Sequence, residues 1–371
     1  MDFDFTTEQD MLRKSVAEFL KKECPSDVVK EIEDSNEGYS AKLWKKMAQL
    51  EWMGIHFPEE CGGFEDPFTD LLIIVEEMGK TAFPSPFFST VIMCGLTIME
   101  GGSDKQKKDL LSKIANGKLI MALAHYEEDA SYPPSAVQMP AALTGDDYIL
   151  NGKKMFVMDA NISQKLVVAA RTGEGVSLFL VDADDPGITV NKMPTIGKDN
   201  TCEVIFDSVA VSKDDMIGKP GQGEEILDSV LKKAAVAKCA EMLGGCQTAV
   251  EMAADYARTR VQYGVPIGAQ QSIQHYLADM QIAYDTSINL FHKVAWMIDE
   301  GVDFSTDASA LKGRLNEMYN FVVDRAVQIH GGVGTTREFD IGLYFRRAKA
   351  FELMLGDTQY HYEQVAQGLG L

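Results

Sequence analysis

Apolar positions recur with two different periods along the chain, and the places where the period switches divide it into three. Up to about residue 117 the spacing is helical. In "TEQDMLRKSVAEFLKKECP", Met11, Leu12, Val16, Phe19 and Leu20 share one face, Thr6 and Gln9 have capping-box spacing, and Pro25 predicts the stop. Further helical runs follow Ser40 ("AKLWKKMAQLEWMG"), Asp66 ("PFTDLLIIVEEMGK") and Ser103 ("DKQKKDLLSKIANG"), with turn chemistry in "PEECGGFED" between them. From about 118 to 216 the runs become short and β-branched, as in "KLIMALAHY", "DYILNGKKMFVMD", "QKLVVAAR", "VSLFLVD" and "CEVIFD". Separated by Gly, Asp or Asn turns, they predict a compact antiparallel sheet or barrel. "IGKPGQGEE" (217–225) punctuates the chain, and long amphipathic runs then resume, including about 269–300 and 306–330. Long helices with short connections read as an antiparallel bundle.

Composition narrows the possibilities. A chain of 371 residues is too long for one small core. Its formal charge of −21 argues against nucleic acid or an anionic membrane as partner, because both would repel it. No apolar run approaches the roughly 20 residues of a membrane span. The acidic start "MDFDFTTEQD" lacks the basic and apolar regions of a secretory signal. Six cysteines without a CxxC pair and six histidines without HExxH give no metal pattern and point to a reduced, cytoplasmic setting. The nineteen methionines read as core filling.

Three stretches carry candidate chemistry. "ARTRVQYGVPIGAQQSIQH" (257–275) joins two predicted helices, and Arg258 and Arg260 point to opposite sides of the first, so one at most can serve a given phosphate. "VQIHGGVGTTREFD" (327–340) sets Gln328 on a last helical turn before Gly331, Gly332 and Gly334, where a ligand or another backbone can approach closely. "LMLGDTQYH" (353–361) is a helix that breaks at Gly356–Asp357 and restarts. In order, spacing and helical context, the first two resemble the acyl-CoA dehydrogenases. The resemblance covers the whole length and also includes "EWMGIHFPEECGG", "YILNGKKMFVMDANISQKLVVAAR" and "AVQIHGGVGTTREFDIGLYFRRAK". It implies an α+β fold with an N-terminal α-helical domain (1–117), a central antiparallel β-barrel domain (118–216) and a C-terminal four-helix bundle (217–371).

The resemblance further implies FAD bridging two subunits of a homo- or hetero-tetramer, an acyl-CoA thioester as substrate, and an electron-transfer flavoprotein as acceptor. Arg260 falls where an arginine meets the FAD diphosphate of a neighbouring subunit, and Gln271 where a glutamine meets the same cofactor. Gln328, Gly331 and Gly332 fall at the adenosine end. The isoalloxazine end departs from the family. Tyr126 and Glu128 stand in the threonine and proline slots of its Thr-Glu-Pro segment, and no Gly-Ser-Asp turn follows in "AHYEEDASYPPSAVQ". Phe156 replaces the usual tryptophan over the flavin, and Met158 the hydroxyl residue after it. His125 lies near this slot; the other histidines read as packing or surface.

The sharpest departure concerns the base. The family pattern ends its penultimate helix with an aromatic residue, then Glu, Gly and Thr; that glutamate takes the α-proton while hydride leaves the β-carbon for flavin N5. Counting from "RRAK" (346–349) without a gap puts Leu355 in the glutamate slot, Gly356 on the glycine and Asp357 on the threonine. The alternative base position, on the helix that opens the bundle, is Ala235, followed by Val236. Three explanations stay open: Asp357 is the base, its ordinary pKa of about 4 being in range; Glu127 or Glu128 enters the pocket; or the subunit does not catalyse in its own pocket and completes that of a homologue. The last arrangement is that of two-subunit acyl-CoA dehydrogenases, whose smaller subunits, of the pimeloyl-CoA dehydrogenase type, this chain resembles.

Overall fold

The computed structural model describes residues 5–371; the four residues before them, part of the acidic start read above, lie outside it. In chain order the helices are α1 (Thr7–Glu23), α2 (Ser26–Asp34), α3 (Ala41–Gln49), α4 (Phe68–Lys80), α5 (Leu96–Gly101), α6 (Asp104–Gln106), α7 (Ser112–Ala115), α8 (Gly223–Thr259), α9 (Gln271–Asp299), α10 (Ser305–His330), α11 (Ile341–Leu353) and α12 (Thr358–Gly368). The strands are β1 (Met121–Ala124), β2 (Ala141–Thr144), β3 (Asp147–Met158), β4 (Lys165–Thr172), β5 (Gly175–Asp182), β6 (Ile188–Lys192), β7 (Thr201–Ser212) and β8 (Met216–Ile217), with a small hairpin β9 (Val261–Gln262) and β10 (Val265–Pro266). None of the described helices is long and apolar enough to cross a membrane.

By contacts the residues form two compact units. One gathers the N-terminal segment to Glu31, Phe68–Phe83 and Ala235–Leu371; the other gathers Ile32–Pro67 and Pro84–Ala234. The first is helical. Its opening helix starts where the capping box predicts: the Thr6 hydroxyl accepts from Gln9 N at 3.2 Å, and Gln9 Oε1 accepts from Thr6 N at 3.0 Å. Arg13 of α1 reaches Glu76 of α4 with two hydrogen bonds, at 3.1 and 3.0 Å, a forked contact that fixes one helix against the other. The long helices α9 and α10 pack against each other, and α10 also meets α11 and α12.

The second unit holds two four-stranded sheets, ordered β1-β4-β5-β8 and β2-β3-β7-β6. Their facing sides share one core, with Leu150, Leu166, Val168, Phe179, Val204 and Phe206 among its members. The second sheet is antiparallel throughout. The first departs from the antiparallel expectation at one pairing, since β1 runs parallel to β4. Such a pairing needs a long connection, and β2 and β3, which belong to the other sheet, lie in the chain between them. The apolar-periodicity reading also passed over Phe88–Gly95, a π-helical segment so uniformly buried that it shows no amphipathic stripe.

Candidate functional site

At one end of the helical unit the C-termini of α8 and α10 meet. Tyr256 stacks on His330 with ring centroids 4.5 Å apart and 24° between planes, and Phe339 meets both rings edge-on. His330 Nδ1 donates to Ala326 O at 2.7 Å, and burial lowers its pKa, so it is held as a neutral packing group. This stack carries two predicted groups to one place. Arg260 continues from Tyr256, its N–H bonded to Tyr256 O at 2.8 Å, while Gly331 and Gly332 follow His330 directly. Gln328 is exposed on the last turn of α10, and Gln271 opens α9, brought back by Ile267 N donating to Arg260 O at 2.8 Å.

The two arginines divide as their helical spacing requires. Arg258 pairs with Asp255 at 2.6 Å, whereas the exposed Arg260 guanidinium makes no ion pair or hydrogen bond among the described residues. Gly331, at φ +66°, and Gly332 have open space where β-carbons would stand. An unspent guanidinium beside side-chain-free backbone at helix ends suits a diphosphate, so these residues fit the dinucleotide part of FAD.

The β unit gathers the other predicted positions. An extra residue in β3 shifts its register between Lys154 and Val157 and puts Phe156 in the left-handed region, at φ +56°. The bulge turns the Phe156 ring outward, 43% exposed. Met155 N donates to Tyr126 O at 3.0 Å, which ties Tyr126 to the bulge, and Met158 closes β3 opposite Thr201. Tyr126, Phe156 and Met158 therefore lie at the same end of the sheets.

Beside them is an ion pair, buried on the lysine side and partly exposed on the glutamate side, that the sequence did not reveal. The fully buried Lys154 ammonium donates to Glu127 at 2.7 Å and to His125 O at 3.3 Å. The same carboxylate accepts from Gln138 N and Met139 N at 3.0 and 2.8 Å. Glu127 is thus the knot that closes the loop 127–139, with its oxygens already engaged. Glu128 is largely exposed and bonds Lys153 at 3.0 Å. Neither has the free, inward carboxylate that a base requires. The signal for Lys154 was available: it falls on the inward phase of β3 with Tyr148 and Leu150. His125 is buried beside it, and neither ring nitrogen makes a hydrogen bond among the described residues. Burial, then the nearby Lys154 charge, pushes its pKa down to about 3.

The break after α11 answers the question raised by "LMLGDTQYH". Leu355 has φ +60° and Gly356 φ +110°. Asp357 is the N-cap of α12, its carboxylate accepting from Tyr360 N at 2.8 Å. Three side chains hold the turn from inside. Lys312 donates to Asn316 Oδ1 at 2.6 Å and to the carbonyls of Phe351 and Gly356, both at 3.1 Å. Asn316 adds a bond to Gly356 O at 3.2 Å, and His361 Nε2 donates to Leu355 O at 2.9 Å. Burial pushes Lys312 down to about 8; burial and the Lys312 charge push His361 down to about 4. The sequence reading missed Lys312, although its spacing from Ala308 and Leu315 puts a charge on the buried face of α10. Ala235 and Val236 are buried and offer no titratable group.

Three family models match the chain in order: the acyl-CoA dehydrogenase N-terminal domain over 6–118, the middle domain over 122–209 and the C-terminal domain over 221–370. The chain belongs to the acyl-CoA dehydrogenase family. Acyl-CoA dehydrogenases are FAD-dependent oxidoreductases, and this member is similar over its whole length to a probable acyl-CoA dehydrogenase of Bacillus subtilis (30% identity, 100% of each chain). Butyryl-CoA dehydrogenase of Megasphaera elsdenii superposes with a TM-score of 0.93 at 28% identity, covering 100% of each chain. A chain in the structure of the electron transferring flavoprotein of Acidaminococcus fermentans gives a TM-score of 0.94 at 31% identity, over 100% of this chain and 99% of that one.

Two expected outcomes follow for this acyl-CoA dehydrogenase chain. Asp357→Ala, which removes the cap, lowers stability by ~1 kcal/mol, while Asp357→Asn keeps it within a few tenths; equal losses in chemical unfolding would contradict the cap assignment. The second concerns His125, whose folded pKa lies below its ordinary value of 6.5. Below that pH the unfolded chain takes up a proton that the folded chain refuses, so stability drops as pH falls through this window. His125→Gln removes one such slope, and its stability relative to the parent should improve by about 2 kcal/mol between pH 6.5 and about 5. Parallel pH profiles for the two proteins would count against a buried neutral His125.

Proposed function

We propose that this chain is the base-deficient subunit of an acyl-CoA dehydrogenase that carries out α,β-dehydrogenation of an acyl-CoA thioester and passes the electrons to an electron-transfer flavoprotein. The observation that carries this reading is the state of the acids. Leu355 stands in the slot of the family's glutamate, Asp357 is spent as a helix cap, and Glu127 is tied to Lys154 and two backbone N–H groups. Dehydrogenation needs an acceptor for the α-proton, and none of the three positions offers one. When bound, FAD supplies the hydride acceptor.

The chain's own contribution is to bind and align. Arg260, Gln271, Gln328 and the Gly331–Gly332 turn, in the helical unit, would hold the dinucleotide end of FAD in the homologue's site, and Phe156, Tyr126 and Met158, in the β unit, would border an isoalloxazine. The helical unit carries exposed apolar side chains at Val261, Tyr263, Val265 and Ile282, the kind of surface a second subunit covers. A hetero-tetramer with a homologue that keeps the glutamate fits this surface, and so does a homo-tetramer. The electron-transfer flavoprotein as acceptor is supported by the likeness to the Acidaminococcus fermentans chain. All six cysteines are unpaired and buried, which fits a reduced cytoplasmic setting.

Expression alone and beside such a homologue separates the possibilities. The reading expects the lone chain to hold little FAD and its flavin absorbance to stay unbleached with straight-chain or dicarboxylic acyl-CoA. Co-purification with the homologue should restore both the yellow colour and the bleaching. A lone chain with FAD near one per subunit that bleaches on adding acyl-CoA would overturn it.

A further inference from the structure

The turn that lacks the base is built as though it still had to aim a side chain. Leu355 is a γ-branched residue in the left-handed region, a conformation that costs a non-glycine residue energy and persists only where the surroundings over-determine it. They do so here. The carbonyl of Leu355 is taken by His361, and that of Gly356 by both Lys312 and Asn316; Lys312 also anchors Phe351 O in the last turn of α11. The next position admits only glycine, because a β-carbon on Gly356 would fall 2.4 Å from His361 Nε2 and 2.6 Å from Tyr360 Cδ1. Every bond reaches backbone, so the geometry of position 355 is set independently of which side chain stands there.

We propose that Lys312 is the positioning residue of this turn, its ammonium fixing the direction in which the side chain at 355 is presented. The slot thereby stays preorganised for a carboxylate that the sequence no longer supplies. An ammonium offers three N–H donors, and all three are used: one on Asn316 and two on carbonyls that flank the turn. Lys312 is wholly buried and has no carboxylate among those partners, so it is a poor device for stability alone. An apolar side chain would join α10 to α11 at lower cost but could not hold Phe351 O and Gly356 O at one point. With His361 depressed and neutral, the imidazole keeps an N–H for Leu355 O without adding a second charge beside Lys312.

This inference rests on the reading of position 355 as the base slot, and its test separates the two. Hydrogen exchange of the 355–358 amides is compared in the parent and in Lys312→Met, purified in the assembly that holds FAD. The expected result is exchange at least tenfold faster in that segment alone; unchanged exchange overturns the positioning role. Next, in an assembly whose homologue has its own glutamate replaced by glutamine, so that the parent does not bleach, Leu355→Glu is expected to give acyl-CoA-dependent flavin bleaching. Adding Lys312→Met should slow that bleaching at least tenfold while acyl-CoA affinity stays within twofold, a split that general destabilisation would not give. Bleaching as fast in the double variant as in Leu355→Glu also overturns the role. If Leu355→Glu binds acyl-CoA yet never bleaches, the slot assignment fails, and the exchange result alone decides on Lys312. Should Lys312→Met not fold, Asn316→Leu removes one of the two side-chain donors to Gly356 O, and the same comparisons apply with a smaller expected change.

Discussion

A buried ammonium bonded to two backbone carbonyls and one amide oxygen is the contact on which the passage from α11 to α12 depends. Lys312 reaches from the middle of α10 to the last turn of α11 and to Gly356, and so determines where α11 must stop and how the chain crosses to α12. Around that point a leucine accepts φ +60°, a glycine becomes obligatory, and an aspartate becomes a helix cap. The local conformation is thus dictated by backbone hydrogen bonding, with the identity of residue 355 free to change. Under the proposed function, such a site keeps its shape without a proton acceptor.

The same separation of shape from chemistry recurs in the β unit. Lys154 and Glu127 close the loop from residue 127 to 139 through side-chain and backbone bonds, and a bulge in β3 presents Phe156 outward. Tyr126, Phe156 and Met158 therefore sit on a frame set by neighbours rather than by their own side chains. Where a carboxylate is present in either unit's candidate set, it is already a structural partner. Buried charges are costly unless paired or fully hydrogen-bonded, so Glu127 cannot be withdrawn for proton transfer without stranding Lys154.

Much of this was legible in the sequence because it depends on local periodicity. The capping box at Thr6, the long helices α8, α9 and α10 and the Gly-rich end of α10 follow from spacing and turn residues alone. The break at Gly356–Asp357 was legible as a helix stop and restart. What escaped were features set by tertiary contact. The parallel pairing of β1 with β4 joins segments whose own patterns do not encode direction. The uniformly buried π-helical segment at Phe88–Gly95 carries no polar face to mark its period. Lys154 and Lys312 were each a charge on an apolar phase, a signal present in the pattern but meaningful only once their acceptors are known. Asp357 was ambiguous between helix stop and base; its hydrogen bond to Tyr360 N identifies a cap.

The central claim is that this subunit has no proton acceptor for the substrate α-carbon. It is tested most directly in the assembly that holds FAD, with the homologue's own glutamate replaced by glutamine, by incubation with a saturated acyl-CoA in D2O and following deuterium at the α-carbon by mass spectrometry. A carboxylate beside the α-carbon exchanges that proton even when nothing is present to reoxidise the flavin. The account predicts exchange no faster than in the absence of protein, rising when Leu355→Glu is introduced. Rapid α-deuteration by the unaltered chain would contradict it.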